Sequence, residues 1–80
     1  MNPRVKYVEP QADYTLRLTF TNGEVKVFAV APLFNKGVFR ELKDPSVFRS
    51  AHIWHGTVQW SGEQDICPDT LYEDSLTVEQ

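Results

Sequence analysis

Tyr14-Thr15-Leu16-Arg17-Leu18-Thr19-Phe20-Thr21-Asn22-Gly23-Glu24-Val25-Lys26-Val27-Phe28-Ala29-Val30 is the stretch that decides how this chain folds. At its middle, Asn22-Gly23 supplies the left-handed backbone angles of a two-residue type I′ turn. On both sides apolar and polar residues alternate with the two-residue period of a half-buried strand. The stretch therefore reads as a β-hairpin. With Asn22 and Gly23 as the whole loop, Phe20 faces Val25, Leu18 faces Val27 and Leu16 faces Ala29, three apolar pairs on one face. The other face then carries Thr21 with Glu24, Thr19 with Lys26 and Arg17 with Phe28. A slip of one residue would turn one strand over, so the pattern predicts this register.

A second hairpin is predicted at His55-Gly56, with Ile53 opposite Val58 and Ala51 opposite Trp60 on one face, and His52 with Gln59 and Trp54 with Thr57 on the other. Ahead of both, Arg4-Val5-Lys6-Tyr7 alternates polar with apolar and gives a first strand, ended by Glu9-Pro10. Between the hairpins Pro32, Gly37 and Pro45 break the strand pattern. Asp44-Pro45-Ser46 places a capping carboxylate before a proline at the first helical position, which starts a short helix. Phe48 then points inward, with Leu33, Phe39 and Leu42 as further cover for the sheet. Near the end Pro68 opens another turn or two of helix, with Asp69 beside its positive end, and the chain is expected to fray after Tyr72. The sum is an α+β fold: a small antiparallel sheet of about five strands, built from two hairpins and an N-terminal strand, with one or two short helices over one face.

Eighty residues make a single domain, residues 1–80, with a thin core. Hydrophobic and charged fractions of 41% and 24% are those of a soluble globular chain, which sets aside the disordered and collagen-like classes. No apolar run is long enough to cross a bilayer, Met1 to Lys6 lacks the apolar stretch of a signal peptide, and a lone Cys67 suits a reducing compartment. A cytoplasmic protein is expected, with no membrane contact.

Charge is segregated along the chain. Every Lys and Arg precedes Ala51, and the last thirty residues carry Glu63, Asp65, Asp69, Glu73, Asp74 and Glu79. An anionic end of this kind selects partners, where a mixed surface of the same total would not.

The order and spacing of Asp13-Tyr14, Leu16 to Phe20, Asn22-Gly23-Glu24, Lys36-Gly37-Val38-Phe39, Leu42-Lys43-Asp44-Pro45, Phe48, Gly56-Thr57-Val58, Asp65-Ile66, Pro68-Asp69 and Leu71-Tyr72 resemble the bacterial domain of unknown function 2442 family over nearly the whole chain. The resemblance implies a small α+β domain without an established activity, often encoded beside another small domain in an arrangement like a toxin–antitoxin pair. Some longer relatives resemble this chain followed by a helix-turn-helix.

Candidate chemistry is sparse. Cys67 stands at a helix start, but Glu63, Asp65 and Asp69 oppose a thiolate and no base adjoins it. His52 and His55 have the offset of some zinc pairs, yet residues three apart on a strand face opposite sides of a sheet. No nucleophile, base and oxyanion donor can be assembled, so no catalytic residue, metal or cofactor is expected and the protein is read as a non-enzyme. Arg4, Lys6, Arg17 and Lys26 with Phe28 could form a basic and aromatic sheet face for RNA or DNA, the alternative reading. Trp60 is assigned to the core and Trp54 to an exposed contact. The leading expectation is a protein-interaction or regulatory domain that meets a small basic partner through Trp54, Asp65, Asp69, Tyr72, Glu73 and Asp74. An unpaired outer strand would also allow a homodimer.

Overall fold

In the computed structural model, which describes residues 2–78, seven strands form two antiparallel sheets. Strands β1 (Val5–Pro10), β2 (Thr15–Phe20), β3 (Val25–Ala29) and β7 (Leu76–Thr77) make a four-stranded sheet in that spatial order. Strands β4 (His52–Trp54), β5 (Thr57–Gln59) and β6 (Asp65–Ile66) make a three-stranded one. Two short helices, α1 (Pro45–Phe48) and α2 (Pro68–Glu73), and two 3-10 segments, Ala31–Leu33 and Gly37–Lys43, complete the chain. The α+β class with two hairpins and an N-terminal strand is as the sequence predicts. The hairpins lie in separate sheets, each enlarged by one short strand, β7 or β6.

The second hairpin has the predicted register, with His52, Ile53 and Trp54 opposite Gln59, Val58 and Thr57. His55 and Gly56 both take positive φ, 50° and 78°, as a type I′ turn requires. The first hairpin corrects the prediction. Its pairs are Thr15 with Ala29, Leu16 with Phe28, Arg17 with Val27, Leu18 with Lys26 and Thr19 with Val25, one residue away from the expected register. The cause is the loop. Phe20 N donates to Glu24 O (2.9 Å) and Gly23 N to Phe20 O (3.0 Å), so Thr21, Asn22 and Gly23 together form a three-residue loop. Gly23 alone of these has positive φ (90°), and Asn22 Oδ1 accepts from Glu24 N at 3.0 Å, which holds the bulged form.

That slip leaves Leu16, Leu18 and Phe20 facing inward as expected but turns β3 over. Phe28 and Val30 are buried instead of Val27 and Ala29, and Lys26 lies on the core side at 8% exposure. The lysine is accommodated because its Nζ donates to Tyr72 O (2.5 Å) and sits 4.1 Å from the centroid of the Tyr72 ring. A buried ammonium without such partners would be costly.

Elsewhere β1 carries a bulge at Lys6, so Val5 and Val8 both pair inward, with Phe20 and Leu18, and Tyr7 points to solvent. Pro10 ends β1, an edge strand that tolerates its missing N–H. Asp44 caps α1 as predicted, accepting from Ser46 N (3.0 Å) and Ser46 Oγ (2.7 Å). The core gathers the inner faces of β2 and β3 with Val58, Trp60 and Ile66 of the second sheet and Leu42, Phe48 and Leu71 of the covering segments. Trp60 Nε1 donates to Phe48 O (3.0 Å), tying α1 to the second sheet. Gln64 does the same for the Gly37–Lys43 segment, donating to Val38 O and to Glu41 Oε2. The expected fraying after Tyr72 does not occur within the described residues: Ser75 is buried and β7 pairs with β3.

Candidate functional site

The acidic residues of the C-terminal part lie along β6 and α2. Asp65 is exposed on β6, Asp69 in the first turn of α2, Glu73 in its last turn and Asp74 at its end. Pro68 sets the first turn and Leu71, fully buried, pins the helix to the core, so Asp69, Glu73 and Asp74 are left outward. Asn2 Nδ2 bridges two of them, donating to Asp69 Oδ1 (3.3 Å) and Glu73 Oε2 (3.1 Å). A neutral amide orders the carboxylates without cancelling their charge. Glu79, the last of the acidic series, lies outside the described residues.

Tyr72 has a different setting. Its ring packs edge-on against Phe20 (centroids 5.1 Å apart) and under Lys26, and its hydroxyl donates to Glu24 Oε1 at 2.5 Å. That hydrogen bond, with a second from the Asn22 amide, holds the Glu24 carboxyl below its ordinary range, and it raises the phenol. Tyr72 thus joins α2 to the first hairpin. Trp54 is 42% exposed at the end of β4, its ring edge-on to His55 at 4.3 Å, while Trp60 is 1% exposed in the core. β4 and β6 are the two edges of the three-stranded sheet, so Trp54 and Asp65 lie on opposite sides of it. The structure therefore brings Asp65, Asp69, Glu73 and Asp74 onto one segment, holds Tyr72 within it, and places Trp54 apart.

The basic and aromatic face proposed for nucleic acid is not assembled. Arg17 is exposed, but Lys26 and Phe28 are on the opposite, core side of the same sheet. His52 contacts Ser50 O and Gln59 Oε1 through its two ring nitrogens, and His55 stands in the turn. Among the described residues no group of three or more His, Cys, Asp or Glu side chains is placed to hold a metal ion. Cys67 is exposed at the start of α2 and caps nothing with its side chain. Among the described residues no helix is long and apolar enough to cross a membrane.

Sequence reasoning missed a second surface, the outer face of the four-stranded sheet. Tyr7, Thr19 and Val25 share one row of it, and Glu9, Arg17, Val27 and Leu76 the next. Tyr7 and Leu76 are 62% and 77% exposed, the valines half-buried. The signal was present in Phe28-Ala29-Val30, whose two large apolar residues favour the opposite phase of β3.

Among known families, the model described as a protein of unknown function, DUF2442, matches residues 5–77, from the first residue of β1 to the last of β7. The chain belongs to the DUF2442 family. The match spans both sheets of this DUF2442 domain and the acidic segment between them. No curated protein and no solved structure matches it.

Proposed function

We propose that this DUF2442 chain is a non-enzymatic protein-interaction or regulatory domain of the cytoplasm, the antitoxin-like partner of a small basic protein encoded beside it. The surface that meets the partner is β6 with the outer side of α2. One observation supports this above others: Asp65, Asp69, Glu73 and Asp74 are all exposed on one continuous segment, and the side chain bridging Asp69 and Glu73 is an uncharged amide. Complementary charge of this kind steers encounter and selects against anionic partners. The antitoxin-like role rests on the gene arrangement that the family resemblance implies.

The test is to titrate the full chain with the product of the adjacent reading frame by calorimetry, at low and high salt. The wild-type chain should bind, more weakly as salt rises, and the combined Asp69→Lys, Glu73→Lys and Asp74→Lys variant should lose at least about tenfold in affinity. Equal affinity of a folded triple variant would remove the acidic segment from recognition.

A further inference from the structure

A half-enclosed cavity of about 400 Å³ lies between the β1–β2 turn and α1. Its volume is that of a small-molecule site, and its lining shares no residue with β6 or α2. Burial orders that lining. Phe48 is buried, Pro10, Gln11 and Tyr14 are half-buried, and Pro45 and Arg49 are exposed. Apolar rings therefore form the inside, and a guanidinium stands at the mouth.

The wall is built against a backbone preference. Gln11 N donates to Thr15 O (2.9 Å) and Tyr14 N to Gln11 O (3.2 Å), the same pair of bonds that closes the loop of Thr21, Asn22 and Gly23. Tyr14 thus stands where the other turn has Gly23, and at φ 62° it is a bulky residue in the left-handed region. Its side chain holds it there. The hydroxyl donates to Lys43 O (2.5 Å), and the ring packs edge-on to Phe34 and to Phe48, with centroids 5.1 Å from each. These contacts tie the turn to α1 and set the wall of the cavity in advance of any ligand.

Among the described residues Arg49 alone brings charge to the lining. Its backbone N–H donates to Pro45 O (3.0 Å), which anchors it at the end of α1. The nearby carboxylates are engaged locally: Asp44 accepts from Ser46 N and Oγ, and Asp13 from Thr15 Oγ1. The guanidinium is therefore left for a ligand. An ammonium would be opposed by it, whereas a carboxylate matches its planar fork of donors.

We infer that this cavity binds a small organic anion, a carboxylate carried on a flat apolar body. The carboxylate meets Arg49 at the mouth, and the body lies inside against Tyr14, Phe48 and Pro10. The two parts of the site come from distant stretches of chain, the β1–β2 turn and α1, and the Tyr14 hydroxyl bond to Lys43 O holds them together. The site is independent of the acidic segment, so its ligand and a basic partner can be tested apart.

The test titrates the full chain with matched probes, cinnamate against cinnamamide and benzoate against benzamide, with acetate as the anion that lacks a body. Proton–nitrogen correlation spectra at constant ionic strength report the binding. Cinnamate should bind with a dissociation constant on the order of 1 mM and shift the amides of Gln11, Ala12, Tyr14, Phe48 and Arg49, with the Arg49 side-chain N–H. Each neutral amide should bind at least about fivefold more weakly than its acid, and acetate should give no saturable shift. Arg49→Gln should reduce the acids to the level of the amides, while Arg49→Lys should keep part of the preference. Arg49 is exposed, and unchanged resonances elsewhere would show that each variant keeps its fold. No saturable shift at these residues up to about 10 mM cinnamate would overturn the inference. Equal affinity for acid and amide, or a preference that survives Arg49→Gln, would do the same.

Discussion

Replacing Lys26 with Ala tests the least expected feature of the fold, a lysine on the core side of β3. The side chain is 8% exposed, donates to Tyr72 O at 2.5 Å and lies 4.1 Å from the Tyr72 ring centroid. A hydrogen bond from a charged donor contributes about 1.5–3 kcal/mol and a desolvated cation–π contact about 0.5–2 kcal/mol. Part of this offsets the cost of taking the ammonium out of water. The carbonyl that loses its donor keeps Ser75 Oγ at 3.2 Å, so no orphan acceptor adds to the loss. The net expectation is about 2–4 kcal/mol, a large share of the roughly 4–12 kcal/mol available to a domain of 80 residues. At about 4–8 °C per kcal/mol, Tm should fall by roughly 8–32 °C.

Val27→Ala is the matched control. Val27 is half-buried on the outer face, so its truncation should cost less than about 1 kcal/mol in the monomer. Urea unfolding followed through the buried Trp60 measures both variants. Lys26→Met, which keeps the stem, separates the packing part from the polar part. If Val27→Ala proved costly and Lys26→Ala nearly silent, β3 would have the opposite phase and the account of both sheet faces would collapse.

Glycine replacements should divide by their surroundings. Gly23→Ala meets open space and should cost only the left-handed backbone penalty, about 1–2 kcal/mol. Gly56→Ala, also at positive φ, should lose more in equilibrium denaturation, because its Cβ would stand 3.1 Å from Arg4 Cβ. The tryptophans should separate in fluorescence: Trp54→Phe should leave stability within about 0.5 kcal/mol and remove the solvent-exposed emission. Trp60→Phe, which loses the bond to Phe48 O, should cost about 1–3 kcal/mol and leave the red-shifted component. Stability should also depend on pH through Glu24, held low by the Tyr72 hydroxyl and the Asn22 amide, and Asp44, held low by the Ser46 hydroxyl and N–H. Depressed carboxyl values mean that the folded state gains above the ordinary carboxylate range, so the unfolding free energy should decline as pH falls below about 4–5. Glu24→Gln and Asp44→Asn should flatten that decline. Tyr72 is shifted upward, so its contribution is present below the ordinary tyrosine value and should be lost as pH rises past the folded value, above about 10.

The parts of this chain that were legible in sequence are those whose causes are local. His55-Gly56 specifies its own turn and register because two consecutive positive φ angles admit only one tight hairpin. Asp44-Pro45-Ser46 carries its own cap and Pro68 its own helix start. The accumulation of carboxylates after Ala51 needs no fold to be seen, and the burial of Leu71 then turns Asp69, Glu73 and Asp74 outward.

Tertiary structure decided the rest. Asn22-Gly23 is compatible with a two-residue loop and with a three-residue loop ending in a bulge, and Val25 to Val30 offers apolar residues in both phases. Within the hairpin the Asn22 Oδ1 bond to Glu24 N and the large Phe28 and Val30 side chains favour the bulged register, but that register turns Lys26 inward. The choice falls to Tyr72, 46 positions further on, whose carbonyl and ring receive the Lys26 ammonium and make its burial tolerable, so that Phe28 and Val30 can fill the core. By the same step Val25 and Val27 turn outward, and the open sheet face exists only because a contact distant in sequence set the register of a strand.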